Sequence, residues 1–501
     1  MKILIANPPC RVDIGNGYER YFVRSGSRWP FSVIKRKEDL PEYMPFPFYL
    51  AYSASLLLKE KCEVSVIDAV AMNLTLEDFI GECMRIRPDL VMFETTTPTI
   101  EHDLELAKRL KDCLSARIVL AGTHATVFHR QIMESVRAVD FILLGEYELN
   151  LLGLVRSLLY NTEISAVKGI VFRDNGNVAI NPNLQQFDLD LLPFPARELF
   201  PRGDSNNINL YWDAFCQNQP AVQMHSSRGC PVRCNFCLWN QVIYGNGKYR
   251  MFSAKRVVDE MEHCIGRFGA KEIYFDDDSF TVDKNHVLGI CREIINRKLS
   301  VKWSAMADVI FLDEEMLGEM AGAGCIGIKF GIESGSREIL QKIGKPVDFD
   351  KARRIAKSCA DKRIKTHATF SFGLLGDNLD TINDTLNFAK DLDVDSVQFS
   401  ITTPFPGTRY YEELNRENRI IAKDWLAYDG ACSSVVKFTS FTREQLEEIC
   451  SSALSVWLRR KIRNPRWLKR QMLNLFRLIK GQGVGALIGK IKRIFHIIFK
   501  Q

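Results

Sequence analysis

Three cysteines with Cys-x3-Cys-x2-Cys spacing constrain this chain more than any other feature. Cys230, Cys234 and Cys237 lie in the stretch Ser-Ser-Arg-Gly-Cys-Pro-Val-Arg-Cys-Asn-Phe-Cys, whose glycine and proline predict a loop. Three thiolates on one loop can ligate three irons of a [4Fe–4S] cluster and leave the fourth iron open for a small-molecule ligand. A zinc site normally needs a fourth protein ligand at a matching spacing, and none follows closely. We interpret the loop as a cluster site and as the catalytic centre.

The loop resembles the cluster loop of radical S-adenosylmethionine (SAM) enzymes. The likeness rests on the three cysteines, the Ser-Arg-Gly lead-in and Phe236 before the third cysteine. It implies that the open iron binds the amino and carboxylate groups of SAM, and that reduction cleaves SAM to a 5′-deoxyadenosyl radical. It also implies that Phe236 supports the adenine through its backbone, and that a flavodoxin- or ferredoxin-like protein donates electrons.

Composition indicates a globular chain from a reducing compartment. The 501 residues suffice for two or three domains, and the fourteen cysteines are scattered apart from the loop, which argues against a secreted disulfide framework. The amino terminus predicts a buried strand rather than a signal peptide. No stretch of about 18 uncharged apolar residues occurs, so no membrane-spanning helix is predicted. We expect a cytoplasmic protein.

Residues 1–150 alternate short apolar runs with helical patterns, which predicts a parallel α/β sheet of the Rossmann or flavodoxin-like kind. The predicted strands are Lys2–Ala6, Glu63–Ile67, Leu90–Glu94, Arg117–Ala121 and Phe141–Leu144. Ligands of such sheets bind beyond the carboxyl ends of the strands. The candidate ligand contacts in the loops there are Asn7, Pro8, Thr95, Thr96, Gly122, Thr123, His124, Gly145 and Glu146.

Joined to the cysteine loop, these strand-end loops resemble the cobalamin-binding domain of B12-dependent radical SAM enzymes. Asn-Pro-Pro, Gly-Thr-His-Ala and Gly-Glu-x-Glu carry the likeness, which implies that the candidate residues contact cobalamin. The Asp-x-His-x-x-Gly signature of other cobalamin proteins is absent, because Val70 stands where the histidine would follow Asp68. We therefore expect cobalt without a protein histidine ligand. His124 either lines the groove or is a loop histidine with no role in cofactor binding.

Two segments lie outside this strand–helix pattern. Residues 18–30 form an early insertion that either reaches the active site or is surface padding. Residues 151–215 predict a connector, in which Lys168–Arg173 and Val178–Ile180 form a hairpin about Asp-Asn-Gly-Asn.

Residues 216–410 repeat a strand–helix rhythm that predicts a partial (β/α)6 barrel. The predicted strands are Lys271–Phe275, Val301–Ala305, Ile326–Phe330, His367–Phe372 and Ser396–Ser400. Asp276, Asp277 and Asp278 follow the first of these strands, either as a site at the barrel mouth or as a solvated turn that caps the next helix. In radical SAM enzymes a Gly-Gly-Glu run here contacts the SAM ammonium, and Asp278 aligns with its glutamate.

Two further barrel positions carry the family resemblance. Glu333 and Ser334 lie in Gly-Ile-Glu-Ser-Gly, which resembles a family motif and implies contacts with the ribose or carboxylate of SAM. Ser334 is equally well explained as a helix N-cap. Gln398, before Thr-Pro-Phe-Pro-Gly-Thr, resembles the late-barrel signature and is expected to line the cavity.

Positive charge is concentrated at the end of the chain. The net charge is +6, and residues 451–501 contain 13 of the 67 Lys and Arg residues and no Asp or Glu. Bulky apolar residues interleave with these cations, which favours an interfacial helix on anionic lipid. The alternatives are a helix packed on its own domain and, least favoured, phosphate contacts with nucleic acid. Cys432 is an ordinary buried cysteine or, alternatively, an extra ligand or thiol donor.

The predicted architecture is therefore α/β with five parts. These are a cobalamin-binding domain (1–150), a connector (151–215), a radical SAM barrel (216–410), a helical extension (411–456) and a basic amphipathic tail (457–501). The resemblance implies a [4Fe–4S] cluster, SAM and cobalamin as cofactors, and most commonly C-methylation of an unactivated carbon. Oxidative ring closure of the porphyrin-cyclase type and a non-catalytic, membrane-associated scaffold are the alternatives. The tail favours a lipid- or isoprenoid-like substrate over another secondary metabolite, and contact with the inner membrane surface.

Overall fold

The computed structural model describes residues 1–39, 43–60, 62–182, 186–202, 210–211, 213–245, 247–430 and 433–482. Cys432 and the end of the basic tail lie outside the described residues, so our expectations for them stay predictions.

The first part of the chain forms one large and one small sheet. Its elements are β1 Lys2–Asn7, β2 Arg11–Gly15, β3 Tyr18–Val23, β4 Phe31–Arg36, α1 Phe48–Lys59, β5 Glu63–Asp68, α2 Leu76–Ile86, β6 Leu90–Glu94, α3 Ile100–Cys113, β7 Arg117–Ala121, α4 Thr123–Ser135, β8 Phe141–Leu143, α5 Glu148–Tyr160, β9 Ile170–Asp174 and β10 Asn177–Ile180. The large sheet has the order β10-β9-β8-β7-β6-β1-β5. Its pairs from β8 to β5 are parallel. The five predicted strands are present, each end within one residue of its predicted position.

The predicted hairpin extends this sheet. Strand β9 runs antiparallel to β8, with Val171 opposite Ile142 and Ile170 opposite Leu143. Strand β10 pairs with β9 on the outer side. Central strand β6 is buried along its whole length, as expected for a parallel strand with helices on both faces.

Strands β2, β3 and β4 form a three-stranded antiparallel sheet inserted between β1 and α1. The sequence pattern did not predict them because buried and exposed positions do not alternate: Tyr21, Phe22 and Val23 are consecutive buried residues. The Tyr21 hydroxyl donates to the carbonyl of Val70 at 2.6 Å, which holds the insertion on the loop after β5.

The second large unit contains a parallel barrel sheet and a separate antiparallel two-stranded sheet. Its elements are β11 Ala221–Met224, β12 Ser227–Gly229, α6 Leu238–Val242, β13 Tyr249–Met251, α7 Ala254–Phe268, β14 Glu272–Phe275, α8 Lys284–Asn296, β15 Lys302–Ala307, α9 Glu314–Gly322, β16 Cys325–Glu333, α10 Arg337–Ile343, α11 Phe349–Asp361, β17 Lys365–Phe372, α12 Leu379–Asp391 and β18 Ser396–Ile401. Six strands pair in parallel in the order β11-β14-β15-β16-β17-β18. This open sheet confirms the predicted partial (β/α)6 barrel.

Over the described residues after the barrel, the helices are α13 Arg409–Arg416, α14 Arg443–Lys461 and α15 Pro465–Gln482. Indole nitrogens of Trp457 and Trp467 donate to the carbonyls of Ala389 and Val394, at 2.9 and 3.2 Å. One face of the tail thus packs on its own barrel, which is one of the alternatives considered for it. Among the helices described, none is long and apolar enough to cross a bilayer.

Candidate active site

The cysteine loop leaves β12 at Gly229 and ends at α6. Gly229 has φ +82°, and a Cβ there would collide with the carbonyl oxygen of Lys248, so this position requires glycine. Two side chains of α6 donate hydrogen bonds to backbone carbonyls of the loop. Asn240 Nδ2 donates to the carbonyls of Cys230 and Val232 at 3.0 and 2.9 Å. Gln241 Nε2 donates to that of Cys237 at 3.0 Å.

All three loop cysteines are free thiols; Cys234 is buried and the other two are partly exposed. Burial raises the pKa of Cys230 to about 12 and that of Cys237 to about 11. The charge of Cys237 also raises the pKa of Cys230, and the charge of Asp278 raises that of Cys237. No three His, Cys, Asp or Glu side chains among the described residues converge on a single metal ion. A [4Fe–4S] cluster instead takes each thiolate on a different iron, so three neighbouring thiols on one loop fit it.

The three aspartates after β14 have different environments. Asp277 is buried and accepts hydrogen bonds from Ser226 N, Ser226 Oγ and Ser227 Oγ at 2.7, 2.5 and 2.7 Å. Burial raises its pKa to about 7. Asp278 accepts from Gly229 N at 2.9 Å and is partly exposed, so it joins the strand end to the cysteine loop. The capping alternative is wrong, because helix α8 is capped by Asp283.

Arg28 reaches these aspartates from the insertion, and the sequence did not identify it as a site residue. Its Nη1 donates to the carbonyls of Asp276 and Asp277, both at 2.8 Å, and its Nη2 donates to Asp276 Oδ1 at 3.0 Å. The only sequence signal is its place in a loop after the carboxyl end of β1. A cavity next to it is lined by Phe48, Tyr49, His225, Trp239, Tyr244 and Asp278.

Glu333 ends β16 in the left-handed region, with φ +70°. Its carboxylate pairs with Lys345 Nζ at 3.0 Å and accepts from Ser371 Oγ at 3.0 Å. A Cβ on Gly331 would meet that carboxylate and the Lys345 ammonium, so a larger residue there would displace this ion pair. Lys345 is nearly buried and also pairs with Asp308 at 3.1 Å. The sequence did not single out Lys345, because its partners lie 12 and 37 positions away.

Ser334 and Gln398 differ sharply in exposure. Ser334 is fully buried; its Oγ accepts from Ser336 N at 3.1 Å and lies 3.2 Å from Thr385 Oγ1. Gln398 is exposed on β18, the last strand of the barrel sheet. Phe236, inside the cysteine loop, is partly buried against the main hydrophobic core.

The strand-end loops of the first domain bring the candidate cobalamin residues to one edge of the sheet. Asn7 Nδ2 donates to Asp68 at 2.8 Å, and Thr96 Oγ1 lies 3.1 Å from Thr99 Oγ1. A Cβ on Gly122 would collide with the Thr95 carbonyl, which explains the glycine. Pro8 and Gly145 also lie on these loops; the Pro8 carbonyl accepts from Arg24, and Gly145 N donates to Thr126.

Two polar atoms at this edge favour an external ligand. Asn7 Oδ1 and Thr123 Oγ1 are buried and have no hydrogen-bond partner among the described residues. Because buried polar atoms are normally hydrogen-bonded, this edge fits a cofactor that carries amide groups, as cobalamin does.

Two aromatic side chains pack against His124. Its Nδ1 is 3.3 Å from Thr97 Oγ1, and its ring packs against Phe128 and Trp425 with centroid distances of 4.7 and 5.2 Å. Burial lowers its pKa to about 3, so the imidazole is neutral. Trp425 comes from the extension after the barrel, which sequence reasoning could not connect to this loop.

Glu146 is engaged between the two domains. It pairs with Arg228 at 2.8 Å and with Arg250, while Arg228 also pairs with Glu148 at 2.6 Å. The guanidinium of Arg228 is fully buried over the Tyr49 ring, 4.3 Å from its centroid. The Gly-Glu-x-Glu motif therefore binds β12, the strand that leads into the cysteine loop.

Comparisons with known proteins agree with this architecture. A B12 binding domain model matches residues 42–155, and a Radical SAM superfamily model matches residues 224–389. An uncharacterised methyltransferase of Pyrococcus horikoshii is 31% identical over 83% of this chain and 88% of its own. The anaerobic magnesium-protoporphyrin IX monomethyl ester cyclase of Rubrivivax gelatinosus is 26% identical over 74% of this chain and 66% of its own. The structure of the cobalamin-dependent SAM radical enzyme OxsB, with aqua-cobalamin and SAM bound, has a TM-score of 0.66 at 16% identity, over 95% of this chain and 71% of that one.

A parallel α/β domain joined to a parallel barrel with a three-cysteine loop defines a two-domain cofactor enzyme. The chain belongs to the cobalamin-binding radical SAM family. It is a radical SAM enzyme whose cofactors are a [4Fe–4S] cluster, SAM and cobalamin.

Proposed function

We propose that the enzyme transfers a methyl group to an unactivated carbon of a small amphiphilic substrate. The observation that carries this proposal is the direct contact between the two strand-end regions. The hydroxyls of Tyr49 in α1 and Tyr244 after α6 are hydrogen-bonded at 2.8 Å. Arg28 of the first domain donates to Asp276 of the barrel. When bound, the cluster and SAM supply a 5′-deoxyadenosyl radical, and cobalamin supplies a methyl group.

In this proposal Cys230, Cys234 and Cys237 hold the cluster, and Phe236 supports the adenine. Asp278 accepts hydrogen bonds from the SAM ammonium, because its partly exposed carboxylate adjoins the cysteine loop. Asp276 and Asp277 hold the strand end in place. Glu333, supported by Lys345, faces the ribose or carboxylate; Ser334 shapes the turn behind it, and Gln398 lines the barrel cavity.

For cobalamin, we propose that Asn7, Pro8, Thr95, Thr96, Gly122, Thr123 and Gly145 form the floor of its groove. His124 is covered by Phe128 and Trp425, which supports cobalt without a protein histidine ligand. Glu146 serves the ion pair with Arg228 instead of the cofactor.

The proposal is tested by anaerobic reconstitution with iron, sulfide and cobalamin, followed by incubation with SAM. Dithionite replaces the flavodoxin- or ferredoxin-like donor that we propose. We expect 5′-deoxyadenosine from SAM cleavage and S-adenosylhomocysteine from methylation of reduced cobalamin. Without 5′-deoxyadenosine, the radical SAM assignment of the site residues fails and a scaffold role is favoured.

Oxidative cyclisation is the second candidate, because the porphyrin ester cyclase of Rubrivivax gelatinosus is a relative. The two outcomes differ in the products formed from SAM. Methyl transfer forms both S-adenosylhomocysteine and 5′-deoxyadenosine, whereas a cyclisation without methyl transfer forms 5′-deoxyadenosine alone. The absence of S-adenosylhomocysteine would therefore favour the cyclase.

The exposed face of α15 supports contact with a membrane surface. That contact in turn favours a lipid-like substrate. Leu468, Met472 and Phe476 follow each other at helical spacing and are 41%, 71% and 67% exposed, beside exposed Arg466 and Lys469. Apolar residues with unopposed cations match an anionic bilayer surface, where each cation contributes about 1 kcal/mol before screening. We propose that the protein contacts the inner membrane face through this helix.

Flotation with phosphatidylglycerol vesicles tests the membrane contact. We expect Phe476→Glu to reduce vesicle binding several-fold, because it places a carboxylate in the contact face. Tyr160→Glu is the matched control, since Tyr160 is 66% exposed on α5. Equal flotation of the wild type and Phe476→Glu would contradict the proposal, and the substrate would then be sought among non-lipid metabolites.

A further inference from the structure

The turn that carries Arg28 is held on three sides. Arg24, before the turn, is fully buried and donates to Asp103 at 2.6 Å and to Thr99 Oγ1 at 2.9 Å on the first domain. Gly430 N of the extension donates to the Pro30 carbonyl at 3.1 Å after the turn. The insertion therefore contacts the first domain and the extension at its two ends, and the barrel at its tip.

Glycines fix the position of this turn. Gly26 has φ +84°, and a Cβ there would collide with the carbonyl of Phe46. Gly430 packs as closely, since its Cβ would lie 2.5 Å from the Pro30 carbonyl oxygen. Ser27 Oγ also donates to the Trp29 carbonyl at 2.6 Å. These contacts hold the turn independently of the Arg28 guanidinium.

Arg28 uses this position to fix the end of β14. Its fork binds two successive carbonyls and one carboxylate, so it fixes the path of the Asp276–Asp278 run. Three neighbouring carboxylates repel one another at this largely buried strand end, and the guanidinium offsets that repulsion. In line with this, burial raises the pKa of Asp278 and the charge of Arg28 lowers it.

We infer that Arg28 is a positioning residue of the SAM site, supplied by the cobalamin domain. It holds the strand end so that the Asp278 carboxyl faces the SAM ammonium. This inference rests on the proposed function, since it takes the strand end as the SAM contact. It adds that SAM binding depends on the docked insertion, and so on the cobalamin domain.

The test measures SAM affinity without turnover. The full chain is reconstituted with iron, sulfide and cobalamin, and the Kd for radiolabelled SAM is measured by equilibrium dialysis without reductant. We expect Arg28→Met to raise this Kd about tenfold, because three charge-assisted hydrogen bonds at the strand end are lost. Arg28→Lys is expected to show a smaller rise, since an ammonium cannot reproduce the guanidinium fork.

Arg20→Met is the matched control. Arg20 lies in the same insertion and pairs with Asp429 at 3.3 Å, away from β14. It is expected to leave the Kd for SAM unchanged, with cobalt and iron contents equal in all variants. If Arg28→Met does not retain iron, the Kd for SAM of Arg28→Lys is compared with that of the wild type instead.

The outcomes separate this inference from the proposed function. A wild-type protein that binds no SAM would overturn both. A Kd for the deciding Arg28 variant within about twofold of wild type would overturn the inference alone. An equal rise for Arg20→Met would also overturn it, because the insertion would then act only through general packing.

Discussion

The cysteine loop and the strand-end loops of the first domain present their side chains in opposite ways. The loop's three thiols lie within eight residues, and α6 supports its carbonyls, so the thiols remain available for a cluster. In the first domain, Glu146 and His124 are both engaged, one by Arg228 and one beneath Trp425. A contiguous motif therefore predicts which residues bind a ligand. Polar residues scattered over strand ends are equally often used to pack one domain on another.

Of the variants that test the difference between the two sets of loops, the one that removes a cluster ligand is expected to have the largest effect. We expect Cys234→Ala to lower 5′-deoxyadenosine formation at least about 10³-fold, since a [4Fe–4S] cluster with one thiolate fewer is poorly held. Cys113→Ala is the control, because that thiol is exposed and outside the loop. Retained iron and activity in Cys234→Ala would remove the cysteine loop from the site.

The domain contact is tested by Arg228→Met. This change leaves the fully buried Glu148 without its cation, while Glu146 keeps its pair with Arg250, and it costs about 3–5 kcal/mol of stability. We expect a clearly lower thermal midpoint, with part of the loss recovered by adding Glu148→Gln. If Arg228→Met alone unfolds like the wild type, the ion pairs do not hold the domains together.

A buried carboxyl in the first domain gives a pH-dependent prediction. Burial raises the pKa of Glu94 to about 7, although Tyr147 donates to it at 2.7 Å. The folded state therefore binds an extra proton, and the stability that this proton confers is lost as pH rises through about 7. Relative to Glu94→Gln, we expect the wild type to lose up to about 3 kcal/mol between about pH 4.5 and 7.5.

Thermal midpoints over this pH range measure the effect, with exposed Glu101→Gln as the control. A constant difference between the wild type and Glu94→Gln would show that Glu94 does not titrate there.

His124→Ala is expected to have the smallest effect. The imidazole lies near Thr97 and is covered by Phe128 and Trp425, so it is not free to ligate cobalt. We expect unchanged cobalamin retention, and an electron paramagnetic resonance spectrum of the Co(II) form without imidazole nitrogen splitting in either protein. Nitrogen splitting that disappears in His124→Ala would make this histidine an axial ligand.

Local pattern was enough to predict the large sheet of the first domain, five of the six strands of the barrel sheet and the cysteine loop, because strand periodicity and ligand spacing act within about ten residues. The short first barrel strand, β11, was missed. Arg28, Lys345 and Trp425 were missed since each acts on a residue far away in the chain. The same distance explains Glu146: its motif was visible, but its partner Arg228 lies 82 positions later. The insertion's strands were missed because their buried positions do not alternate.

The most direct test of the central claim is the metal content of the reconstituted chain after gel filtration. If the first domain holds cobalamin beside the cluster loop, each chain will retain about four irons and one cobalt. About four irons without cobalt would contradict the account, because the strand-end groove of the first domain would then not be a cobalamin site.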